Sequence, residues 1–442
     1  MIKVSLTPHR GYLRAASGGN AENQKLFLLA RLRPEVQARA PLNLVFVVDT
    51  SGSMRERVAG GKSKTDVVAE ALQAVMSIPE LGPQDRVSLV QFDDKAKTLV
   101  PPTTDRQAFL NGVSQLRRFS GGTMMGLGMM EALSNLGAGD VVQRVFLLTD
   151  GATFDEDACR GVATTLAGRG VPVTCLGVGN EFNEDLLSDI ADRTSGKVIH
   201  VVAQNANPPA SVEAANLPGV LSVEFRNAAF ETITNLELTF RGVKGVVLEH
   251  ATRVYPALAE AVVNPFAGGG TARLGNLQAN DETMFLLDVG IPSRPASRVR
   301  VAQVGFTFDV PGENRRGEVG PFDVVEEFTD DEALASQINQ EVLGYVQQRN
   351  VSNLVKTATS QAASNPEEAK KTIALARAMT VRLGNSAMTV ALDRAEDELN
   401  RGQGISAGTA KTIKLGSKSQ TVKLGSSGPE LSEEEIRRQT GA

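Results

Sequence analysis

Two cysteines, three histidines and no tryptophan occur in the 442 residues of this chain, and aromatic residues make up only 5% of it. Cys159 and Cys175 are too few for a disulfide scaffold, and such sparse use suggests a reducing compartment. A zinc site is excluded on the same grounds, because only His9, His200 and His250 could join those thiols. No run of about 18 apolar residues appears, so no membrane span is expected. The opening MIKVSLTPHR has neither an apolar core nor a small-residue cleavage site, so it reads as no export signal and the expected location is cytoplasmic. A basic excess is missing too. The 46 basic and 51 acidic residues give a net charge of −5, which argues against a nucleic-acid binder.

What is present is ordinary globular composition, 41% hydrophobic and 22% charged, over a length that suggests about three folded units. Five zones differ in texture. Residues 1–40 hold two strand-like runs, Ile2–Leu6 and Leu26–Leu32. Residues 41–205 alternate continuous apolar runs (42–49, 86–92, 144–150, 171–179, 197–202) with helical patterns at 106–117, 124–136, 156–169 and 183–194. A further helix starts near Thr65, a plausible cap. This alternation predicts a doubly wound α/β domain with a mostly parallel sheet. Residues 206–328 read as all-β, with GVLSVEF (219–225) among the strand-like runs, and suit a β-sandwich. The N-terminal strands lack a partner of their own and are expected to join it, the α/β domain being inserted between. Residues 329–400 carry three amphipathic helical stripes. The tail, 401–442, is rich in small and polar residues and is expected to be disordered.

The sharpest local signal is Asp49-Thr50-Ser51-Gly52-Ser53 at the end of the first long strand run. An Asp with hydroxyls two and four residues on can turn three oxygens to one side of a loop. That loop leaves the carboxyl end of a central strand, where open α/β sheets place ligands. Oxygen donors, one charged and two neutral, suit Mg2+ or another hard cation. Thr123, in FSGGTMMG, and Asp150, in FLLTDG, are the candidates for two more oxygens, with Gly121 and Gly122 letting the backbone turn sharply. The bland reading of DTSGS is a serine-rich turn capping a helix.

DTSGS at 49–53, SGGT at 120–123 and TDG at 149–151 resemble the metal-ion-dependent adhesion site of von Willebrand factor type A (VWA) domains. The likeness spans roughly residues 42–204, and all five metal positions match: Asp49, Ser51, Ser53, Thr123 and Asp150. The flanking β and helical zones match multi-domain bacterial proteins of this type only in kind, with no diagnostic motif of their own. The resemblance implies a non-enzymatic adaptor in which Mg2+ (or Mn2+ or Ca2+) leaves one coordination position for a partner's Asp or Glu. Proteins of this kind often work beside ATPases or Ser/Thr kinases. The alternatives are a Mg2+-dependent hydrolase, for which the sequence offers no adjacent general base, and a fold that is only structural while the tail carries function.

Other motifs point less far. GGKSKT at 60–65 lacks the first glycine of a phosphate loop and reads as a solvated turn. Asp93 and Asp94 read as an exposed turn. Met54, Met124, Met125, Met129 and Met130 crowd near the candidate site and read as core or rim packing. In the tail, KTIKLGS (411–417) and QTVKLGS (420–426) form a short repeat. Thr412 and Thr421 hold equivalent places in it, which suggests a tandem docking or phosphorylation motif for a phosphothreonine reader.

Overall fold

A computed structural model describes residues 2–16, 23–36, 39–58, 61–137, 141–202, 211–279, 281–402 and 404–425. The chain begins with β1 (Ile2–Pro8), β2 (Tyr12–Arg14) and β3 (Asn23–Pro34). β1 pairs with β3, but the other partners of β2 and β3 lie more than 250 residues further on.

The next stretch builds the α/β layer. β4 (Leu42–Asp49), α1 (Lys64–Val75), β5 (Arg86–Phe92), β6 (Ala96–Thr103), α2 (Arg106–Val113) and α3 (Met125–Ser134) come first. Then follow β7 (Val142–Thr149), α4 (Glu156–Gly168), β8 (Val173–Val178), α5 (Glu184–Arg193), β9 (Lys197–Val202), β10 (Val212–Glu213) and α6 (Leu217–Ala229). The sheet order is β10-β9-β8-β7-β4-β5-β6, parallel except for the β5–β6 pair. Every residue of β4 is buried, because helices cover both faces. Leu44, Phe46 and Val48 face a core shared with α1, α2 and α6, while Val45 and Val47 face α3, α4 and α5. The period-2 alternation of a strand, with both sides apolar, thus accounts for the unbroken run VFVV.

Two expectations fail in this layer. GVLSVEF is no strand: Leu217, Leu221, Phe225 and Ala228 are buried at helical spacing and pack against the α1 side of the sheet, which makes the segment part of α6. The cap of α1 is Ser63 rather than Thr65. Ser63 Oγ accepts from Asp66 N, and Asp66 accepts in return from Ser63 N.

β11 (Glu231–Gly242), β12 (Val247–Tyr255), β13 (Ala259–Ala261), β14 (Val263–Phe266), β15 (Gly269–Gln278), β16 (Thr283–Pro292), β17 (Ser297–Val310) and β18 (Arg315–Thr329) form two antiparallel sheets with the N-terminal strands. Their orders are β1-β3-β16-β12-β13 and β14-β15-β11-β17-β18-β2. Leu28 and Ala30 of β3 meet Leu238 and Phe240 of β11 in one core between the sheets. This sandwich lies at the amino-terminal end of the parallel strands. There Arg144 of β7 donates to Thr174 Oγ1 at 3.1 Å and to buried Glu231, which also accepts from Asn276 Nδ2 at 2.9 Å.

α7 (Glu332–Ala335), α8 (Gln340–Gln361), α9 (Pro366–Arg382), α10 (Ser386–Asn400) and α11 (Ala407–Ser419) end the described chain. Over Ala407–Ser419, α11 corrects the reading of the tail as disordered; residues 426–442 of that tail lie outside the described residues. Ser406 caps the helix, accepting from Thr409 N. Its small and polar composition hides two large apolar side chains on different sides, Ile413 in the core of the α8–α10 bundle and Leu415 in the core beneath α5. Burial from both sides supplies what composition alone does not. No helix of the described residues is long and apolar enough to cross a membrane.

Candidate functional site

Three loops meet at the carboxyl end of the parallel sheet. Asp49 ends β4, and the chain turns at once through a single 3-10 turn, Gly52–Arg55. Thr50 fastens this loop to β5, its N–H donating to Phe92 O and its hydroxyl to Gln91 Oε1, both at 2.8 Å. The loop before α3 is tied to both neighbours, since Gly52 N donates to Gly121 O and Met124 N to Asp93 O. The loop after β7 reaches across to the same place, where Thr153 Oγ1 donates to Thr123 O at 2.9 Å and Phe154 N to the same carbonyl at 3.2 Å. Asp155 finishes the junction by accepting from Gly126 N and Leu127 N, capping α3 from another loop. Gly121 and Gly122 serve close approach rather than a sharp turn. Neither has a positive φ, and a Cβ at either would stand about 2.5 Å from the Asp94 carboxylate.

These supports bring Asp49, Ser51, Ser53, Thr123 and Asp150 together. Asp49 Oδ1 accepts from Ser51 N at 2.8 Å and Oδ2 from Thr149 Oγ1 at 2.7 Å. The hydroxyls of Ser51 and Ser53 are 3.1 Å apart, and Ser53 Oγ donates to Asp150 Oδ1 at 2.8 Å. Thr123 Oγ1 lies 3.9 Å from where a Cβ on Gly151 would stand, beside Asp150. Burial pushes the Asp49 carboxyl up to about 6; hydrogen bonds from Ser51 and Thr149 oppose the rise and the charge of Asp150 adds to it.

The sequence reading missed Lys64. It assigned the 60–65 turn to solvent, but Lys64 is the first residue of α1 and is buried. Its Nζ donates to Asp150 Oδ2 at 2.6 Å and to Glu56 Oε2 at 2.7 Å. Burial works against the Lys64 ammonium, yet the hydrogen bonds and charges of Asp150 and Glu56 outweigh it and hold its pKa above the usual value. A Lys placed three residues before Val67, where the apolar stripe of α1 begins, was the available signal. Thr149, within the TDG motif, and Asp155 are further members that the motif alone did not mark.

The remaining candidates stand elsewhere. Met54, Met125 and Met129 are core, whereas Met130 is exposed. Thr412 lies on α11 with its hydroxyl 3.4 Å from His200 Nδ1, and Thr421 Oγ1 donates to Pro256 O at 2.5 Å. The two copies of the tail repeat therefore differ in structure, the first helical and the second without regular secondary structure; Ser426 of the second copy lies outside the described residues.

All five candidate donors are oxygens, two in carboxylates and three in hydroxyls. That set fits a small hard cation and is a poor match for zinc. Among the described residues no three His, Cys, Asp or Glu side chains cluster as a metal site, so any cation held here would depend on the hydroxyls.

Strand order, loop position and donor set define a doubly wound α/β domain with an oxygen-lined crest. The von Willebrand factor type A domain model matches residues 43–210, and the chain carries a domain of that family there. An uncharacterized protein from Synechocystis is 26% identical over 306 residues, covering 67% of this chain and 68% of the relative. Inter-alpha-trypsin inhibitor heavy chain H4 from Homo sapiens is 28% identical over 262 residues, which cover 53% of this chain but only 27% of that protein. Two solved structures share the fold over nearly the full chain. A von Willebrand factor type A protein from Catenulispora acidiphila has a TM-score of 0.78 at 18% identity, covering 95% of this chain and 97% of its own. The ArnB paralog VWA2 from Sulfolobus acidocaldarius has a TM-score of 0.61 at 15% identity, covering 96% and 99%.

Proposed function

We propose that this chain is a non-catalytic protein-interaction module whose VWA domain binds a partner carboxylate through a divalent cation, Mg2+ in the first instance. The observation that carries the reading is the convergence of Asp49, Ser51, Ser53 and Asp150 in one hydrogen-bonded cluster, with Thr123 brought beside it by the Thr153 and Asp155 contacts. Asp49, Ser51, Ser53, Thr123 and Asp150 would hold the cation, and a cation bound there supplies a Lewis-acidic position for an incoming Asp or Glu. Asp49 is oriented for the role by Ser51 N–H and Thr149, which leave the charge on the carboxylate while fixing its plane.

The surroundings favour binding over hydrolysis. Lys64, the nearest basic side chain, is engaged by two carboxylates. His200, at the same sheet edge, is buried, held neutral by burial with a pKa pushed down to about 4, and occupied by Gly179 O at 2.9 Å. Neither is poised to take a proton from a substrate.

The test is capture from native lysate by the full chain, with Mg2+ and with EDTA, beside an Asp49→Ala variant. The expected result is a partner retained only by the unmodified chain in Mg2+. A partner held equally in EDTA and by Asp49→Ala overturns the reading.

A further inference from the structure

Asp49 and Asp150 are both fully buried in one pocket, where two like charges repel each other. A divalent cation would relieve that repulsion. The structure already contains a competitor for the role: the Lys64 ammonium is 2.6 Å from Asp150 Oδ2 with its side chain only 10% exposed. The same ammonium is 2.7 Å from Glu56, whose side chain is 64% exposed. Lys64 therefore stands between a buried anion that belongs to the site and a solvent-facing anion that does not.

Charge bookkeeping at the site follows directly. Asp49 and Asp150 contribute −2 and Lys64 contributes +1, so the five donors plus Lys64 carry −1. A divalent cation changes this to +1, where the two carboxylates alone would have been neutralised. A monoanionic carboxylate from outside then brings the buried cluster to zero, whereas a neutral ligand does not. Glu56 adjusts the balance from the rim by drawing on the same ammonium in a position where water screens it.

We propose that Lys64 sets the cation affinity of the VWA site and, by leaving the loaded cluster positive, selects an anionic ligand for it, with Glu56 acting on the site through Lys64. This rests on the metal-binding reading above. Lys64 lowers affinity for the cation because it already neutralises Asp150, and the same residual charge favours the carboxylate ligand.

The probe is Mn2+ alone, titrated into the full-length chain and its variants, with free Mn2+ counted by electron paramagnetic resonance. Asp49→Ala serves as the blank. Lys64→Met should bind Mn2+ about tenfold more tightly than the unmodified chain, and Lys64→Arg, which keeps the charge, should not. Glu56→Gln should weaken binding about threefold, and in the Lys64→Met background it should have no effect. Equal or weaker binding by Lys64→Met overturns the inference, as does a Glu56→Gln effect that persists without Lys64. If Lys64→Met does not fold, as read by circular dichroism, Glu56→Gln on its exposed side chain carries the test, and unchanged affinity overturns the inference. Mn2+ bound by Lys64→Met but not by the unmodified chain supports it strongly. No binding above the blank by either chain defeats the metal-binding reading itself, and the inference falls with it.

Discussion

Phe154 is 85% exposed, and its backbone N–H is bonded to the carbonyl of Thr123. A phenyl ring that open gains no burial on folding and offers its apolar area to a partner, and large side chains at the centre of interfaces often dominate binding. Phe154→Ala is expected to weaken partner binding by about 1–3 kcal/mol while leaving Mn2+ affinity unchanged, which separates the apolar contact from the metal contact. Calorimetric titration of the captured partner, alongside the Mn2+ titration, checks both halves. At this scale the candidate site was legible where chemistry is written in short motifs. Asp49, Ser51 and Ser53 announce themselves by alternation within five residues, and Thr123 and Asp150 by the glycines beside them. Lys64 was not legible, because its partner lies 86 residues away and a lysine in a Gly-Lys-Ser-rich turn looks solvated until the turn is folded against β7.

Among the elements, α11 has the most to explain. Lys411 donates to the carbonyls of Asn180 and Phe182 and stands 4.4 Å from the centre of the Phe182 ring. Lys414 pairs with Glu184 and Lys418 with Asp192, so three lysines at helical spacing grip the loop before α5, its start and its end. The residues beyond the helix continue outward, with Val422 N donating to Gln348 Oε1 and Leu424 N to the Tyr345 hydroxyl. Removing residues from 401 onward is therefore a folding experiment rather than the trimming of a tail. Leu415→Ala is expected to cost about 2–4 kcal/mol in denaturant unfolding and to raise hydrogen exchange in the loop 179–183, while exchange in β11 and β17 stays unchanged. The helix escaped sequence reading because its apolar residues, Ile413 and Leu415, are two apart and serve two different cores, so no single stripe forms. The strands of the parallel sheet were legible for the opposite reason, since burial on both faces leaves an unbroken apolar run. GVLSVEF misled because a seven-residue apolar segment has no decisive period until Leu217 and Ala228 are counted with it.

For the whole molecule, buried titrating groups set how stability depends on pH. His9 and His200 are pushed down to about 3 and about 4 by burial, against an ordinary 6.5. In both, the unfolded chain takes up protons before the folded one, so their contribution is fully present above about pH 6.5 and is lost as pH falls toward 4. Glu326, on the inner face of β18, is pushed up to about 8 by burial, and its Oε1 has no hydrogen-bond partner among the described residues. Its sign is reversed: the folded state keeps the proton, so stability falls as pH rises from about 4.5 to about 8. Unfolding at fixed Mg2+ should therefore show a stability maximum near neutrality with losses on both sides. Glu326→Gln should flatten the alkaline side and His200→Gln should reduce the acid loss by up to about 3 kcal/mol, both read from urea midpoints across pH. The arrangement of layers has a mechanical side as well. Asp49 is the last residue of β4, which is laddered to β5 from Asn43 to Asp49 and to β7 from Leu42 to Val48. The sandwich grips the other end of the sheet through Arg144 and Glu231. Tension applied at the crest and resisted at the base runs along β4 and loads both ladders in shear, so their hydrogen bonds must give way together rather than peel apart one by one.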